Sequence, residues 1–360
     1  MSSLLDTLGI ELPIIQAPMA GADSPQLCAA VSKAGGLGSL ACATLSAEAI
    51  EKAVAHIRGE TENPFNLNFF CHVPQPDDAA REQAWRQLLE PYYVEAGLDP
   101  QASAPFAQRA PFDDAMCLLV EALRPPVVSF HFGLPVPALL KRVKATGAVV
   151  LATATTVAEA VWLERHGVDA VIAQGAEAGG HRGLFLSDDI STQVGLFALL
   201  PQIVDAVRVP VIAAGGICDG RGVAAALMLG AQAAQLGTAY LFCPEATLNP
   251  RHAEALTRAA DDNTALTNLF SGRPARGIVN RLMRELGPMN EAAPAFPLAG
   301  RALAPLRAQA EAQGRDDFTN LWAGQAARLS QALAASELTL KLADDMRDAL
   351  WAAPTLCSAK

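Results

Sequence analysis

Short apolar runs recur along the first two-thirds of the chain, each closed by glycine or proline and followed by an amphipathic stretch. Runs of this length, rich in Val, Ile, Leu and Ala, read as buried strands. The stretches between them carry apolar residues three and four apart, which is helical spacing. The pattern predicts strands at 14–18, 37–41, 65–70, 127–133, 148–154, 170–173, 210–216 and 233–238. Ser24-Pro25 opens a helix that runs to Gly35-Gly36. Ser46 caps another, with Ala49, Ile50, Ala53, Val54 and Ile57 on one face. Further helices are predicted at 157–166, 193–207 and 223–229, with Gly167 and Gly230 as stops before the next strand. Eight such units predict an α/β fold, a (β/α)8 TIM barrel. An open doubly wound sheet is the weaker reading, because no Gly-x-Gly-x-x-Gly follows an early strand.

The rhythm breaks at 73–113, where Pro74, Pro76, Pro91, Pro100 and Pro105 separate short helical pieces carrying Trp85 and Tyr92-Tyr93. A connection this long is a lid, a binding loop or a disordered insertion, and its aromatic residues favour an ordered cover over the barrel mouth. Beyond Tyr240 the pattern changes again. Helical stretches are predicted at 251–285 and 301–334, and an amphipathic helix at 337–351. The expected division is a barrel at 1–240, a smaller helical substrate-covering domain at 241–336, and a final helix within 337–360 that returns to the barrel.

Composition narrows the function. The chain has 360 residues, 51% of them hydrophobic and 18% charged, enough for a large core. A formal net charge of −10 argues against nonspecific binding to nucleic acid or to an anionic membrane. No signal peptide or spanning segment is visible. The seven cysteines are scattered without a Cys-x-x-Cys pair, which predicts a reducing cytoplasm and mostly core roles for these residues.

In such a barrel the active site lies at the C-terminal ends of the strands. Those positions hold Met19 and Gly21, Asn68, His131, Thr153 and Thr155, Gln174 with Gly179–His181, Gly215-Gly216, and Gly237-Thr238. They include no carboxylate pair, no metal-ligand cluster and no lysine, which counts against a glycosidase, a metallohydrolase and a Schiff-base aldolase. A polar, glycine-rich and mostly uncharged set suits a flat cofactor that the protein holds in place. Gly215-Gly216 and Gly237-Thr238 end strands seven and eight, the usual phosphate site of the fold. Gly215-Gly216 alone also reads as a tight turn, and Gly179-Gly180-His181 as a loop with a surface imidazole.

Four motifs occur in order: 16–21 (QAPMAG), 129–135 (SFHFGLP), 152–155 (ATAT) and 174–183 (QGAEAGGHRG). With them the chain resembles the class I nitronate monooxygenases, formerly called 2-nitropropane dioxygenases, over nearly its whole length. The resemblance implies an FMN-bound barrel that oxidises alkyl nitronates with O2 to a carbonyl compound and nitrite, by one-electron transfer to the flavin and without a metal. It makes His181 the active-site histidine, holding the nitro oxygens as a cation or hydrogen-bond donor. It makes Asn68, Gln174, Gly179, Gly216, Gln235, Leu236, Gly237 and Thr238 the FMN contacts, and places His131 in the substrate pocket. Met19 is expected near the flavin from its strand-end position. Propionate 3-nitronate is the expected substrate, and a homodimer is left open. Arg182 either adds positive potential or points to solvent. A pocket role for His72 is not favoured, and His56, His166 and His252 read as surface or helix-end residues. FMN-dependent enoyl or NAD(P)H:quinone reductases share the Gly-Gly-His turn, whereas the 129–135 motif favours the nitronate enzymes. Flavin-free phosphate-binding barrels with a loop cysteine are echoed faintly by Cys218.

Overall fold

The computed structural model describes residues 3–76, 78–102 and 109–352. Pro105, Cys357, the extreme N-terminus and residues 353–360 of the last predicted segment lie outside the described residues. Eight parallel strands form the barrel, at Ile14–Gln16, Gly38–Ala41, Phe65–Phe70, Val127–His131, Val149–Ala154, Ala170–Gln174, Val211–Ala214 and Ala233–Leu236. Counted along the chain, they lie in the order 1-8-7-6-5-4-3-2. Closure comes from Ile15 pairing with Leu37, where Gln16 N–H donates to the Leu37 carbonyl at 2.9 Å. The helix Leu4–Leu8 packs Leu4 and Leu8 beside Ile15, Leu37, Val127 and Ile212, plugging the end away from the strand C-termini.

Local chemistry explains the helix starts. Ser24 Oγ accepts from Leu27 N–H at 3.0 Å, and Ser46 Oγ from Ala49 N–H at 3.2 Å, each relieving an orphan donor of the first turn. In the second of these helices, Ala47–Glu60, residues Ile50, Ala53, Val54 and Ile57 are buried. Cys28, Cys42, Cys117, Cys218 and Cys243 lie in the barrel's main apolar core. Among the described residues, no helix is long and apolar enough to cross a membrane.

The cover differs from the sequence reading in three places. Residues 73–113 do not break at Pro91: one helix, Ala79–Glu95, runs through it. The lost bond falls at the carbonyl of exposed Gln87, where water can replace the missing donor. Residues 251–285 are not continuously helical. Helices Pro250–Thr257 and Arg281–Leu286 flank a hairpin of strands Thr264–Thr267 and Ala275–Ile278. Gly272 has φ +88° and Pro274 has no N–H, so this stretch turns where a helix would have to continue. In 301–334 only the helix Ala299–Ala312 and the short turn Ala327–Leu329 are helical.

Insertion and cover share one apolar cluster. Trp85 Nε1 donates to the Ala299 carbonyl at 3.0 Å and the Tyr93 hydroxyl to that of Ala302 at 2.6 Å. The last helix, Ala335–Ala352, packs against Pro25–Lys33 and Gly220–Met228 on the barrel wall.

Candidate active site

The sixth strand ends at Gln174, and the chain after it is held by backbone and side chain alike. Gly180–His181 forms the third strand of the cover's small sheet, with His181 opposite Ala275 and Gly180 opposite Arg276. Gln174 Nε2 donates to the His181 carbonyl at 3.0 Å, and Gln174 Oε1 accepts from Gly183 N–H at 2.8 Å. Its amide therefore braces the histidine loop and keeps one N–H for a ligand. Arg182 does not reach solvent. It is fully buried, its guanidinium donating to the carbonyls of Gln174 and Gly175 and to Gln193 Oε1. Three acceptors compensate the buried cation, which serves as a pin beneath the loop.

His181 sits in an aromatic and basic cage. Its ring lies 5.4 Å from Phe296, 5.6 Å from Trp322, 6.0 Å from Phe132 and 6.4 Å from Phe70, centroid to centroid. Nε2 is 2.8 Å from Ser271 Oγ, and Ser271 Oγ is 3.2 Å from the Arg273 carbonyl, which only accepts. One ring nitrogen is thus tied to the hairpin and the other is left for a ligand. Burial, followed by the charges of Arg109 and Arg273 and the neighbouring imidazoles, pushes the His181 pKa well below the usual histidine value. In the ligand-free protein this lowering favours the neutral imidazole over the protonated form.

His131 is brought to the same place, in a supporting position. Its Nδ1 lies 3.1 Å from Thr153 Oγ1 and its Nε2 3.2 Å from the His181 carbonyl. A carbonyl cannot donate, so His131 Nε2 carries the proton and Nδ1 accepts from Thr153. Burial lowers its pKa to about 3. His72 is also in the cage, 4.8 Å from the Phe296 ring, its pKa lowered to about 4 by burial and then by Arg273. His72 Nδ1 is buried without a partner. These three imidazoles form no grouping with metal-ligand geometry among the described residues.

The opposite rim is built from backbone. Gly215 and Gly216 have φ +113° and +68°, and a Cβ on Gly216 would lie 3.2 Å from that of Glu177. A Cβ on Gly237 would meet Met19 Sδ at 3.7 Å, so Met19 and the eighth strand's end adjoin. Met19 N–H is held by Asp23 Oδ2 at 2.8 Å. Thr238 Oγ1 accepts from Gly324 N–H at 2.9 Å and keeps its own proton to donate. Gln235 Oε1 is buried with no donor in reach. Leu236 points into the apolar core, so it can offer a ligand only its backbone. Asn68 Nδ2 donates to Ser129 Oγ at 2.9 Å, which leaves its carbonyl oxygen. The Cβ space of Gly179 is taken by the Ala323–Gly324 backbone, so the close approach there is made by protein. Gly180, with φ +72°, faces open space. An orphaned acceptor, a free hydroxyl proton and glycine turns at strands seven and eight fit a flavin's polar edge and phosphate.

Several residues escaped sequence reasoning. Ser271, Arg273, Phe296 and Trp322 come from the cover, more than 80 residues from His181, and no short-range pattern links them to it. Glu159 is buried and accepts from Thr155 N–H and Oγ1 and from Phe185 N–H, each at 2.7 Å, fixing the chain beyond the histidine loop. Its position four residues after strand-end Thr155 was an available signal. His252 is buried, 2.9 Å from the Trp322 carbonyl, and His166 stacks on Trp162 at the surface.

Residues 1–345 match the family model described as nitronate monooxygenase. A nitronate monooxygenase of Paraburkholderia phytofirmans is 44% identical over 351 residues, covering 97% of this chain and 96% of the relative. The solved nitroalkane oxidase from Streptomyces ansochromogenes is 41% identical with a TM-score of 0.88, covering 98% of this chain and all of that one. FabK from Thermotoga maritima is more distant, 28% identical with a TM-score of 0.77 over 99% of both chains. Similarity on this scale, across barrel and cover together, places the chain in the nitronate monooxygenase family of flavin-dependent oxidoreductases.

Proposed function

We propose that the protein binds FMN and oxidises alkyl nitronates, propionate 3-nitronate among them, with O2 to a carbonyl compound and nitrite. The observation that carries this reading is His181, a neutral imidazole held by Ser271 in an aromatic cage that also contains Arg273. Asn68, Gln174, Gly216, Gln235, Gly237 and Thr238, with Met19 and the Leu236 backbone, would hold the FMN. Gly179 would support them by letting the Ala323–Gly324 backbone close over the rim. When bound, the flavin would supply the electron-transfer chemistry between the nitronate and O2. Phe70, Phe132 and Phe296 exclude water, and the free nitrogen of His181, unprotonated because Nε2–H donates to Ser271, faces the ligand as an acceptor. With a neutral nitroalkane, the same nitrogen takes the α-proton, a role that requires the neutral ring. His131 and Gln174 also position His181 through its carbonyl. We also propose the division near residue 240, supported by the barrel's own apolar cluster, with the insertion's Trp85, Leu89, Tyr92 and Tyr93 packed into the cover's.

The test is oxygen uptake with propionate 3-nitronate, set against NADH oxidation with a quinone on the same preparation. Nitronate-dependent uptake is expected, with kcat/KM lowered about 100-fold or more in His181→Asn. Quinone reduction without nitronate turnover would transfer the assignment to the reductases of this barrel type.

A further inference from the structure

The barrel interior changes character one layer below its mouth. Leu37 and Val127 belong to the apolar layer against the plug of the far end. Two residues further on, and so on the same inner face, stand Ser39 and Ser129. Asn66 and Asn68 of the third strand lie between them, opposite Ser39 and Ser129 in the ladder. All four residues are buried. Branched apolar residues ordinarily fill such a barrel, so the polar layer is not simple filler.

Its hydrogen bonds converge on one hydroxyl. Ser129 Oγ accepts from Asn66 Nδ2 and from Asn68 Nδ2, each at 2.9 Å. Asn66 Nδ2 also donates to Ser39 Oγ at 3.1 Å, and Ser39 N–H to Gln16 Oε1 at 2.7 Å. Asn66 Oδ1 is left buried without a partner, while its amide nitrogen holds both serines. Asn68 Nδ2 meets the Ser129 carbonyl as well, at 3.3 Å. Turning the Asn68 amide over would set one acceptor against another, so the oxygen is the atom left for a ligand.

We infer that Ser129 is a positioning residue for the cofactor, locking the Asn68 amide so that Oδ1 is a fixed acceptor for a flavin N–H. An oxidised isoalloxazine ring carries one N–H, in its pyrimidine ring, so the lock decides which edge of the ring Asn68 can meet. An acceptor held in place before binding loses little freedom when the ligand arrives. The inference rests on the FMN reading above and adds the residue that orients one of its contacts.

The experiment is a double-mutant cycle on FMN binding, read from flavin fluorescence quenching on titration of flavin-stripped protein. Ser129→Ala is expected to raise Kd about 5-fold, and Asn68→Ala about 10-fold or more. In the Asn68→Ala background, Ser129→Ala should change Kd less than about 2-fold, because Ser129 acts through the amide. Equal losses in both backgrounds would make Ser129 a packing residue and overturn the inference, as would no loss in either. Failure of the unmodified protein to bind FMN would instead remove the cofactor reading, and the inference with it. A second measurement needs no variant. The unmodified protein should bind FMN about 10-fold more tightly than the analogue methylated at the pyrimidine N–H, and equal affinities would overturn the fixed acceptor.

Discussion

The two sides of the barrel mouth are built by different means. At strands seven and eight the rim is backbone: glycine turns, one hydroxyl and one unpartnered amide oxygen, all close to their own strand ends. On the side of strands three to six the surface is a cage of side chains. His72 follows the third barrel strand, His131 ends the fourth and His181 lies beyond the sixth, while Ser271, Arg273, Phe296 and Trp322 come from the cover. The rim depends on local conformation, which a few residues specify. The cage exists only where the hairpin Thr264–Thr267/Ala275–Ile278 pairs with Gly180–His181. Damage to the rim should weaken retention of the cofactor, and damage to the cage should impair chemistry and selectivity.

The largest break in this comparison should come from Arg182→Met. It removes the guanidinium donor from the Gln174 carbonyl and leaves the Gly175 carbonyl with only Ala178 N–H beneath the histidine loop, at a cost of about 3 kcal/mol. A clear drop in melting temperature is expected, with turnover falling further than flavin content. A variant as stable as the unmodified protein would show that the pin does not hold the loop.

Gly216→Val attacks the rim alone. A β-branched residue is strained at φ +68° and its Cβ presses on Glu177, a penalty of ~1–3 kcal/mol. The flavin-to-protein absorbance ratio after gel filtration should fall, with FMN affinity reduced about tenfold. Normal flavin content with poor nitronate turnover would reverse the roles assigned to the two sides.

Acidification should act mainly on the cage. His72 and His131 have folded pKa values lowered to about 4 and about 3, and that of His181 lies well below the ordinary value. Between those values and about pH 6.5 the unfolded chain binds more protons than the folded one. Stability from these groups is complete above about pH 6.5 and declines as the pH falls toward the folded values. Melting temperatures at pH 8 and pH 5 measure this. The same lowering keeps His181 neutral, so the acid limb of nitronate kcat/KM should fall below pH 6. An acid limb near 6.5 would mean that the cage does not suppress protonation.

Sequence periodicity was enough for the barrel because each βα unit carries its own strand, cap and glycine stop. The faces of helix Ala47–Glu60 and the strand Phe65–Phe70 follow directly from spacing. The positions of His181, Gly216 and Gly237 followed for the same reason, being the ends of recognisable strands. The hairpin was hidden because its strands are four residues each and sit between true helices, where composition favours helix. Pro91 misled in the opposite sense: a helix continued because an exposed carbonyl can turn to water.

By itself, the sequence determined the eight-stranded barrel, the glycine rim and the histidine at the end of the sixth strand. These are set by short-range backbone preference and burial, which act within one βα unit. Tertiary structure alone decided that the His181 pKa is lowered, that Arg182 is a buried pin, and that Arg273 stacks over Phe132. Charge state depends on desolvation and on the neighbours within a few ångströms. Those neighbours come from parts of the chain far apart in sequence.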